Sequence, residues 1–181
     1  MDFGWHGDLD LAAAVEVLSR RPDVTDGRIA VVGLSMGGEQ AIGALAADDR
    51  IRAVVAEGAT NRVAGDKAWL SDELGVRGLV QEQLDRLTYG ATDLLTAASP
   101  PIALRDAVAA TAPRPVLLIA GGAVPDEPDA SRYIAAGSPD TVDVWIAPGA
   151  GHTRALGRHR EEWEQRVTTF LASALGQPAD G

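Results

Sequence analysis

The sequence predicts one domain of the α/β class, in which a parallel sheet of about four strands carries helices on both faces. Three observations support this class. Four short apolar runs alternate with segments of helical periodicity. The first run, Ile29 to Val32, lacks polar–apolar alternation, which indicates a strand covered on both faces. The length of 181 residues is that of a single domain with a sizeable core.

Helices are predicted where apolar residues recur every three or four positions. The first helix follows Asp8, whose carboxylate can cap its start, and it ends before the turn at Pro22, Asp26 and Gly27. The four predicted helices are Asp8 to Arg20, Gln40 to Ala47, Ala130 to Ala136 and Glu161 to Leu175.

Strands are predicted at the apolar runs between these helices: Ile29 to Val32, Ile51 to Ala56, Pro115 to Ala120 and Val142 to Ile146. The fourth run alternates at Asp143, as an edge strand does. Strands that alternate with helices pair in parallel through right-handed crossovers. The loops that follow the strands therefore meet at one edge of the sheet.

Residues 60–112 contain no strand signal, and their leucine-rich helical stretches are interrupted by glycines and by Pro100-Pro101. This segment is too helical for a loop, so we predict a helical cap inserted over the strand ends. Its large apolar residues would either line an acyl pocket or pack the cap onto the core. These residues are Trp69, Leu70, Leu74, Leu79, Leu84, Leu87 and Tyr89.

Composition excludes several classes of function. A net charge of −10 leaves no basic surface for nucleic acid. The absence of cysteine rules out disulfides, thiolate metal sites and a cysteine nucleophile. No apolar run is long enough to span a bilayer, and the first residues do not form a secretory signal. We therefore expect a cytoplasmic protein without a membrane partner, and a disordered tail from Gly176 to Gly181.

The stretch Gly33-Leu34-Ser35-Met36-Gly37-Gly38 joins the first strand to a helix. It is either a plain strand-to-helix turn or a turn that holds Ser35 out as a nucleophile. In the second case Gly33 and Gly37 remove side chains that would collide with the strained turn. The backbone N–H of Met36 is then placed to bind a developing oxyanion.

A serine nucleophile needs a base, and the chain has three histidines. His152 directly follows the fourth predicted strand and so shares the sheet edge of Ser35. His6 and His159 lie in polar surroundings, and we predict that both are surface residues.

An orienting acid is expected in the loop after the third strand, where Asp126 is the first choice and Glu127 the alternative, with Asp129 close by. Glu57, which follows the second strand, is a further alternative. The order serine, acid, histidine is the order found in α/β-hydrolases. A solvated acidic loop without catalytic function is the competing explanation of this cluster.

With these motifs, the sequence resembles the α/β-hydrolase superfamily, and most of all its dienelactone-hydrolase and prolyl-oligopeptidase-like branch. The similar segments are residues 8–38, "PRPVLLIAGG" and "IAPGAGHT". The resemblance implies Ser35 as nucleophile, His152 as base and Asp126 as acid, and hydrolysis of an ester, thioester or amide in a small acyl substrate without a cofactor. The dienelactone branch often carries cysteine as nucleophile, whereas this chain has serine.

The resemblance also implies a sheet of eight strands, of which this chain matches the last four. We therefore expect residues 1–181 to be an N-terminally incomplete domain. The strand at Ile29 to Val32 would have an open edge, suited to self-association or to a partner. The second oxyanion donor would come from a loop that this chain lacks. The alternatives to a serine hydrolase are a non-catalytic binding module or inactive fragment, and an acyltransferase with the same triad.

Overall fold

The computed structural model describes residue 5 and residues 7–25, 28–96 and 99–176. The predictions made for His6, for the turn at Asp26 and Gly27, and for the tail beyond Gly176 concern residues outside this part.

The sheet has four parallel strands in the order β1-β2-β3-β4. The strands are β1 (Ile29–Leu34), β2 (Ile51–Glu57), β3 (Val116–Gly121) and β4 (Val142–Ala147). All four were predicted, and each extends beyond its predicted end by one or two residues. Because the strands are parallel, their carboxyl ends lie at the same edge, and the residues that follow β1, β2, β3 and β4 meet there.

The helices of the described residues are α1 (Gly7–Ser19), α2 (Met36–Ala47), α3 (Leu70–Leu74), α4 (Val76–Leu95), α5 (Leu104–Thr111), α6 (Glu127–Ala135), α7 (Ala155–Arg158) and α8 (Arg160–Ala174), with a 3₁₀ turn at Ala64–Lys67. α2 and α6 begin earlier than predicted. Low helix propensity made Gly37 and Gly38 poor signals for the start of α2. In α6, Pro128 lies in the first turn, where a helix tolerates proline.

Helices cover both faces of the sheet, as predicted. On one face α1, α2, α5 and α6 pack around a core that includes Ile42, Leu118 and Ile134. On the other face α7 and α8 pack over Val55 and Ile119. Within residues 60–112, α5 buries Leu104 and Val108 in the first core. This helix therefore belongs to the layer that covers the sheet.

The apolar residues of segment 60–112 fall into two groups. Trp69 and Leu70 are buried against Ala130 of α6. This agrees with the predicted alternative in which the segment packs onto the core. By contrast, Leu84 and Leu87 are 52% and 71% exposed on α4, and Leu74 and Leu79 are also exposed. The latter four residues therefore do not belong to the buried core of the described residues.

Two carboxylates, the buried Asp66 and the partly buried Glu39, fix the chain between β2 and α5. Both oxygens of Asp66 accept backbone N–H groups, from Arg62 and Val63 on one oxygen and from Leu104 on the other. Oε1 of Glu39, in the first turn of α2, accepts the N–H groups of Thr60 and Asn61 at 3.1 Å each. Burial raises the pKa of Glu39, and the negative charge of Asp66 raises it further. The hydrogen bonds from the Thr60 and Asn61 N–H groups lower the pKa, but burial has the larger effect.

None of the described helices is both long enough and apolar enough to cross a membrane.

We predict that Glu39 makes the stability depend on pH. The folded pKa lies above the ordinary value of 4.5, so the folded state binds the proton more tightly than the unfolded state. This contribution to the free energy of unfolding is fully present below about pH 4.5 and is lost as the pH rises through the raised pKa. Glu39→Gln keeps an oxygen for both N–H groups and removes the titration.

The measurement is urea unfolding of both proteins between about pH 7 and pH 4.5. As the pH falls, the free energy of unfolding of the wild type should rise relative to that of Glu39→Gln. Glu73→Gln, at an exposed glutamate of α3, is the control and should follow the wild type. A difference between wild type and Glu39→Gln that stays constant or shrinks towards low pH would contradict the prediction.

Candidate active site

Ser35 occupies a strained turn between β1 and α2. Its φ of 53° and ψ of −127° are rare for a residue with a side chain. The turn is held by a hydrogen bond of 2.7 Å from the Ser35 N–H to the carbonyl oxygen of Glu57 at the end of β2. Strain of this kind persists only where the surrounding structure enforces it, and it is common at functional sites.

Glycine at position 33 makes the turn possible. A Cβ at Gly33 would lie 2.3 Å from the carbonyl oxygen of Gly37, which is too close for any side chain. The prediction that Gly37 relieves a similar collision is wrong, because a Cβ there would meet nothing within 4 Å. The second tight glycine is Gly38, whose Cβ would lie 3.1 Å from that of Ala56.

His152 lies in the loop after β4 and reaches Ser35. Its Nε2 is 2.8 Å from the Ser35 Oγ, which is hydrogen-bond distance. The imidazole remains 50% exposed, so this pair is accessible from solvent. Gly58, directly after β2, has a φ of 71°, and a Cβ there would lie 2.9 Å from Cε1 of His152. Gly58 thus provides space for the imidazole, a feature that the sequence analysis missed.

The acid hydrogen-bonded to His152 is Glu127, the first residue of α6. Its Oε1 is 2.5 Å from Nδ1 of His152, and its Oε2 accepts the Gly121 N–H at 2.6 Å. The side chain is 1% exposed. With both oxygens engaged, this carboxylate holds the ring so that Nε2 faces Ser35.

Asp126, the first choice from the sequence, has a different position. It is exposed at the N-terminal end of α6, and no described residue donates a hydrogen bond to its carboxylate. The two acids are neighbours in a turn that enters a helix, so one side chain points inwards and the other outwards. Asp129 forms an ion pair with Arg132 at 2.6 Å on the same helix.

Glu57, the other predicted alternative, is buried but does not contact His152. Its Oε1 accepts the Ala155 N–H at 2.8 Å and its Oε2 accepts the Trp163 indole N–H at 2.9 Å. The side chain therefore ties β2 to α7 and α8, directly after the His152 loop. The backbone carbonyl of the same residue holds Ser35, so Glu57 links the two loops that carry the site.

His159, predicted on the surface, is partly buried beside the His152 loop. Its Nε2–H donates to the carbonyl oxygen of Pro148 at 2.7 Å, and its ring meets Trp145 edge-on at 6.2 Å between centroids. It does not contact Ser35 and steadies the start of the loop that carries His152.

The N-terminus of α2 faces the same site. Met36 is the first residue of this helix, so helical bonding leaves its backbone N–H without an acceptor. The helix dipole adds partial positive charge at this end. Both features would favour negative charge that develops next to Ser35, as predicted for an oxyanion donor.

A cavity of about 200 Å³ lies between the loops that follow β2 and β3. Its lining is mixed: Thr60, Asn61, Lys67, Trp69, Leu70, Gln81, Asp126 and Ala130. The Trp69 indole N–H is buried there without a hydrogen-bond acceptor among the described residues. Among all residues that the structure describes, no group of three or more His, Cys, Asp and Glu side chains is arranged to hold a metal ion.

This arrangement has the chemistry of an activated nucleophile. A hydroxyl bonded to an imidazole, whose other nitrogen is bonded to a buried carboxylate, can lose its proton to the imidazole as it attacks an electrophilic carbon.

Comparison with solved structures shows which known proteins have a similar fold. The esterase Pf2001 of Pyrococcus furiosus is 25% identical, with a TM-score of 0.62 over 97% of this chain. The α/β hydrolase GrgF from Penicillium sp. sh18 is 16% identical, with a TM-score of 0.65 over 93% of this chain and 71% of its own. A puromycin-hydrolyzing peptidase from Mycobacterium tuberculosis is 23% identical, with a TM-score of 0.64 over 95% of this chain and 26% of its own.

The chain spans 64% of the length of the Pf2001 esterase. No protein-family profile and no curated protein matches the sequence. Four parallel strands with helices on both faces, together with these structural neighbours, show that the chain has part of the α/β-hydrolase fold.

Proposed function

We propose that the protein is a serine hydrolase that cleaves an ester, thioester or amide bond, with Ser35 as nucleophile, His152 as base and Glu127 as orienting acid. The single observation that carries this proposal is the continuous hydrogen-bond path from Ser35 Oγ through His152 to the buried Glu127. A binding module would keep the turn for packing alone and would not need the imidazole at 2.8 Å from the hydroxyl.

In the proposed reaction, Ser35 Oγ attacks the acyl carbon while Nε2 of His152 takes the hydroxyl proton. The Glu127 carboxylate stabilises the imidazolium that forms, and the Met36 N–H donates to the oxyanion. His152 then returns the proton to the leaving group, which departs and leaves an acyl-serine. Water, deprotonated by His152, attacks this ester, and collapse of the second tetrahedral intermediate releases the acid and restores Ser35.

Exposure of the pair is consistent with access of substrate, because Ser35 is only half-buried and the imidazole is half-exposed. The mixed cavity at Asp126 and Trp69 adjoins the loops that carry the site and offers room for a small acyl or leaving group. These features support a small-molecule substrate and leave its identity open to screening of ester, thioester and amide probes.

We predict that a fluorophosphonate probe labels Ser35 covalently. An activated serine reacts with such a probe, whereas ordinary serines do not, so Ser35→Ala should abolish labelling. Labelled protein is detected by in-gel fluorescence and the modified peptide by mass spectrometry. Ser173→Ala, at an exposed serine of α8, is the matched control and should label like the wild type. Equal labelling of Ser35→Ala and wild type would refute the assignment of the nucleophile.

We predict that Glu127→Gln and Asp126→Asn differ sharply although the positions are adjacent. In Glu127→Gln the buried Gly121 N–H requires the oxygen of the new side-chain amide, which turns the amide N–H₂ towards Nδ1 of His152. His152 would then carry its proton on Nε2 and could not accept the Ser35 proton. The kcat should fall by roughly 10³–10⁴-fold, the scale of such a tautomer error.

Asp126→Asn should lower kcat far less than Glu127→Gln does, since the Asp126 carboxylate touches no part of the hydrogen-bond path. Because Asp126 lines the cavity proposed for the substrate, its effect should fall mainly on KM. Circular dichroism checks that both variants are folded, and the comparison is made with the ester that the wild type hydrolyses fastest. If Asp126→Asn were instead the slower enzyme, Asp126 rather than Glu127 would be the orienting acid.

A further inference from the structure

Thr153 directly follows His152 and has a backbone conformation that is rare for its residue type. Its φ is 53°, in the left-handed region, where Cβ comes too close to the next carbonyl oxygen and a β-branched residue is an outlier. The Arg154 N–H donates to the Gly151 carbonyl oxygen at 3.1 Å, so His152 and Thr153 are the central residues of a β-turn. Turns with a positive φ at the second central residue normally have glycine or asparagine there.

Hydrogen bonds on both sides of this turn hold the strained conformation in place. Before the turn, the Ala150 carbonyl oxygen accepts the Ala123 N–H at 2.9 Å. After the turn, the Ala155 N–H donates to the buried Glu57 carboxylate at 2.8 Å. Ala150 and Ala155 are both buried, so neither end of the turn is free to shift and relieve the strain.

The same loop contains glycine at another position that has a positive φ. Gly149 has a φ of 63°, and a Cβ there would meet nothing within 4 Å. Position 153 instead carries a branched side chain in a conformation that glycine adopts without collision. The backbone shape therefore does not explain threonine at this position, and the explanation has to come from the contacts of its side chain.

Both branches of the Thr153 side chain are engaged next to the imidazole. Its Oγ1–H donates to the His152 carbonyl oxygen at 2.8 Å. Its Cγ2 methyl group lies 3.3 Å from the point that a Cβ on Gly58 would occupy, and Nδ1 and Cε1 of His152 lie 3.0 and 2.9 Å from the same point. The methyl group and this edge of the ring therefore both pack over Gly58.

We propose that Thr153 is a positioning residue for His152. Its hydroxyl group fixes the backbone of the histidine, and its methyl group restricts movement of the ring over Gly58, so that Nε2 stays directed at the Ser35 hydroxyl. The inference rests on the proposed function, because the alignment matters only if His152 is the base. The backbone strain is then the cost of this alignment, and its relief should separate stability from activity.

The test is Thr153→Gly, which removes both side-chain contacts and tolerates the positive φ. Because the base is misaligned while the substrate surface is unchanged, kcat for p-nitrophenyl acetate should fall at least about tenfold and KM should change less than about threefold. The rate of fluorophosphonate labelling of Ser35 should fall with kcat. The urea midpoint of unfolding should stay the same or rise, because the strain is gone.

Two further variants serve as controls. Thr168 of α8 is exposed, and its hydroxyl also donates to a backbone carbonyl, that of Glu164 at 2.6 Å. Thr168→Gly places glycine inside a helix, so its urea midpoint should fall and its kcat should match the wild type, the opposite pattern to Thr153→Gly. Thr153→Ser keeps the hydroxyl group and should recover most of the activity that Thr153→Gly loses.

A wild-type kcat in Thr153→Gly would overturn the inference. A urea midpoint that falls together with kcat would overturn it as well, since that is the pattern of an ordinary packing residue, and so would a Thr153→Ser variant as slow as Thr153→Gly. These outcomes leave the proposed function intact as long as the probe labels the wild type at Ser35. A wild type that the probe does not label would refute the proposed function, and this inference with it.

Discussion

The candidate site depends on one buried carboxylate that binds two groups at once. Glu127 accepts the Gly121 N–H with one oxygen and meets His152 Nδ1 with the other. The first contact fixes the carboxylate to the end of β3, and the second fixes the imidazole to the carboxylate. A buried acid with both oxygens engaged has little freedom to rotate, so the ring is held with Nε2 towards Ser35.

Glu57, at the end of the neighbouring strand β2, also binds several groups at once, but it connects two loops instead of orienting the imidazole. Its backbone carbonyl binds the Ser35 N–H, and its carboxylate binds Ala155 and Trp163 beyond the His152 loop. The nucleophile turn and the histidine loop are thereby anchored to the same residue at the end of β2. Two glutamates at the carboxyl ends of adjacent strands thus have separate roles, one towards the imidazole and one towards the loops.

The sequence was informative wherever topology alone decides position. Four apolar runs in alternation with helices identified the parallel sheet, and parallel strands bring the residues after β1 and β4 to one edge. Ser35 and His152 could therefore be selected as a pair from their places after strands. Gly33 was also recognisable, because the strained turn requires glycine close to the serine.

Side-chain direction was the part that sequence could not supply. Asp126 and Glu127 are adjacent acids in one turn, and only the start of α6 determines which of them is buried. On α4 the apolar periodicity was read as an inward face, yet Glu82 and Asp85 hold the polar side against the protein. Gly58 offered a signal that was missed, since glycine directly after a strand favours a positive φ.

The most direct test of the central claim is the low-field proton NMR spectrum of the folded protein. A proton shared between Nδ1 of His152 and a buried carboxylate exchanges slowly and resonates far downfield of ordinary amides. We expect one such resonance, which is assigned to His152 by its loss in His152→Ala, is absent from Glu127→Gln and persists in Asp126→Asn. A resonance that survives in Glu127→Gln, or that disappears in Asp126→Asn, would contradict the account.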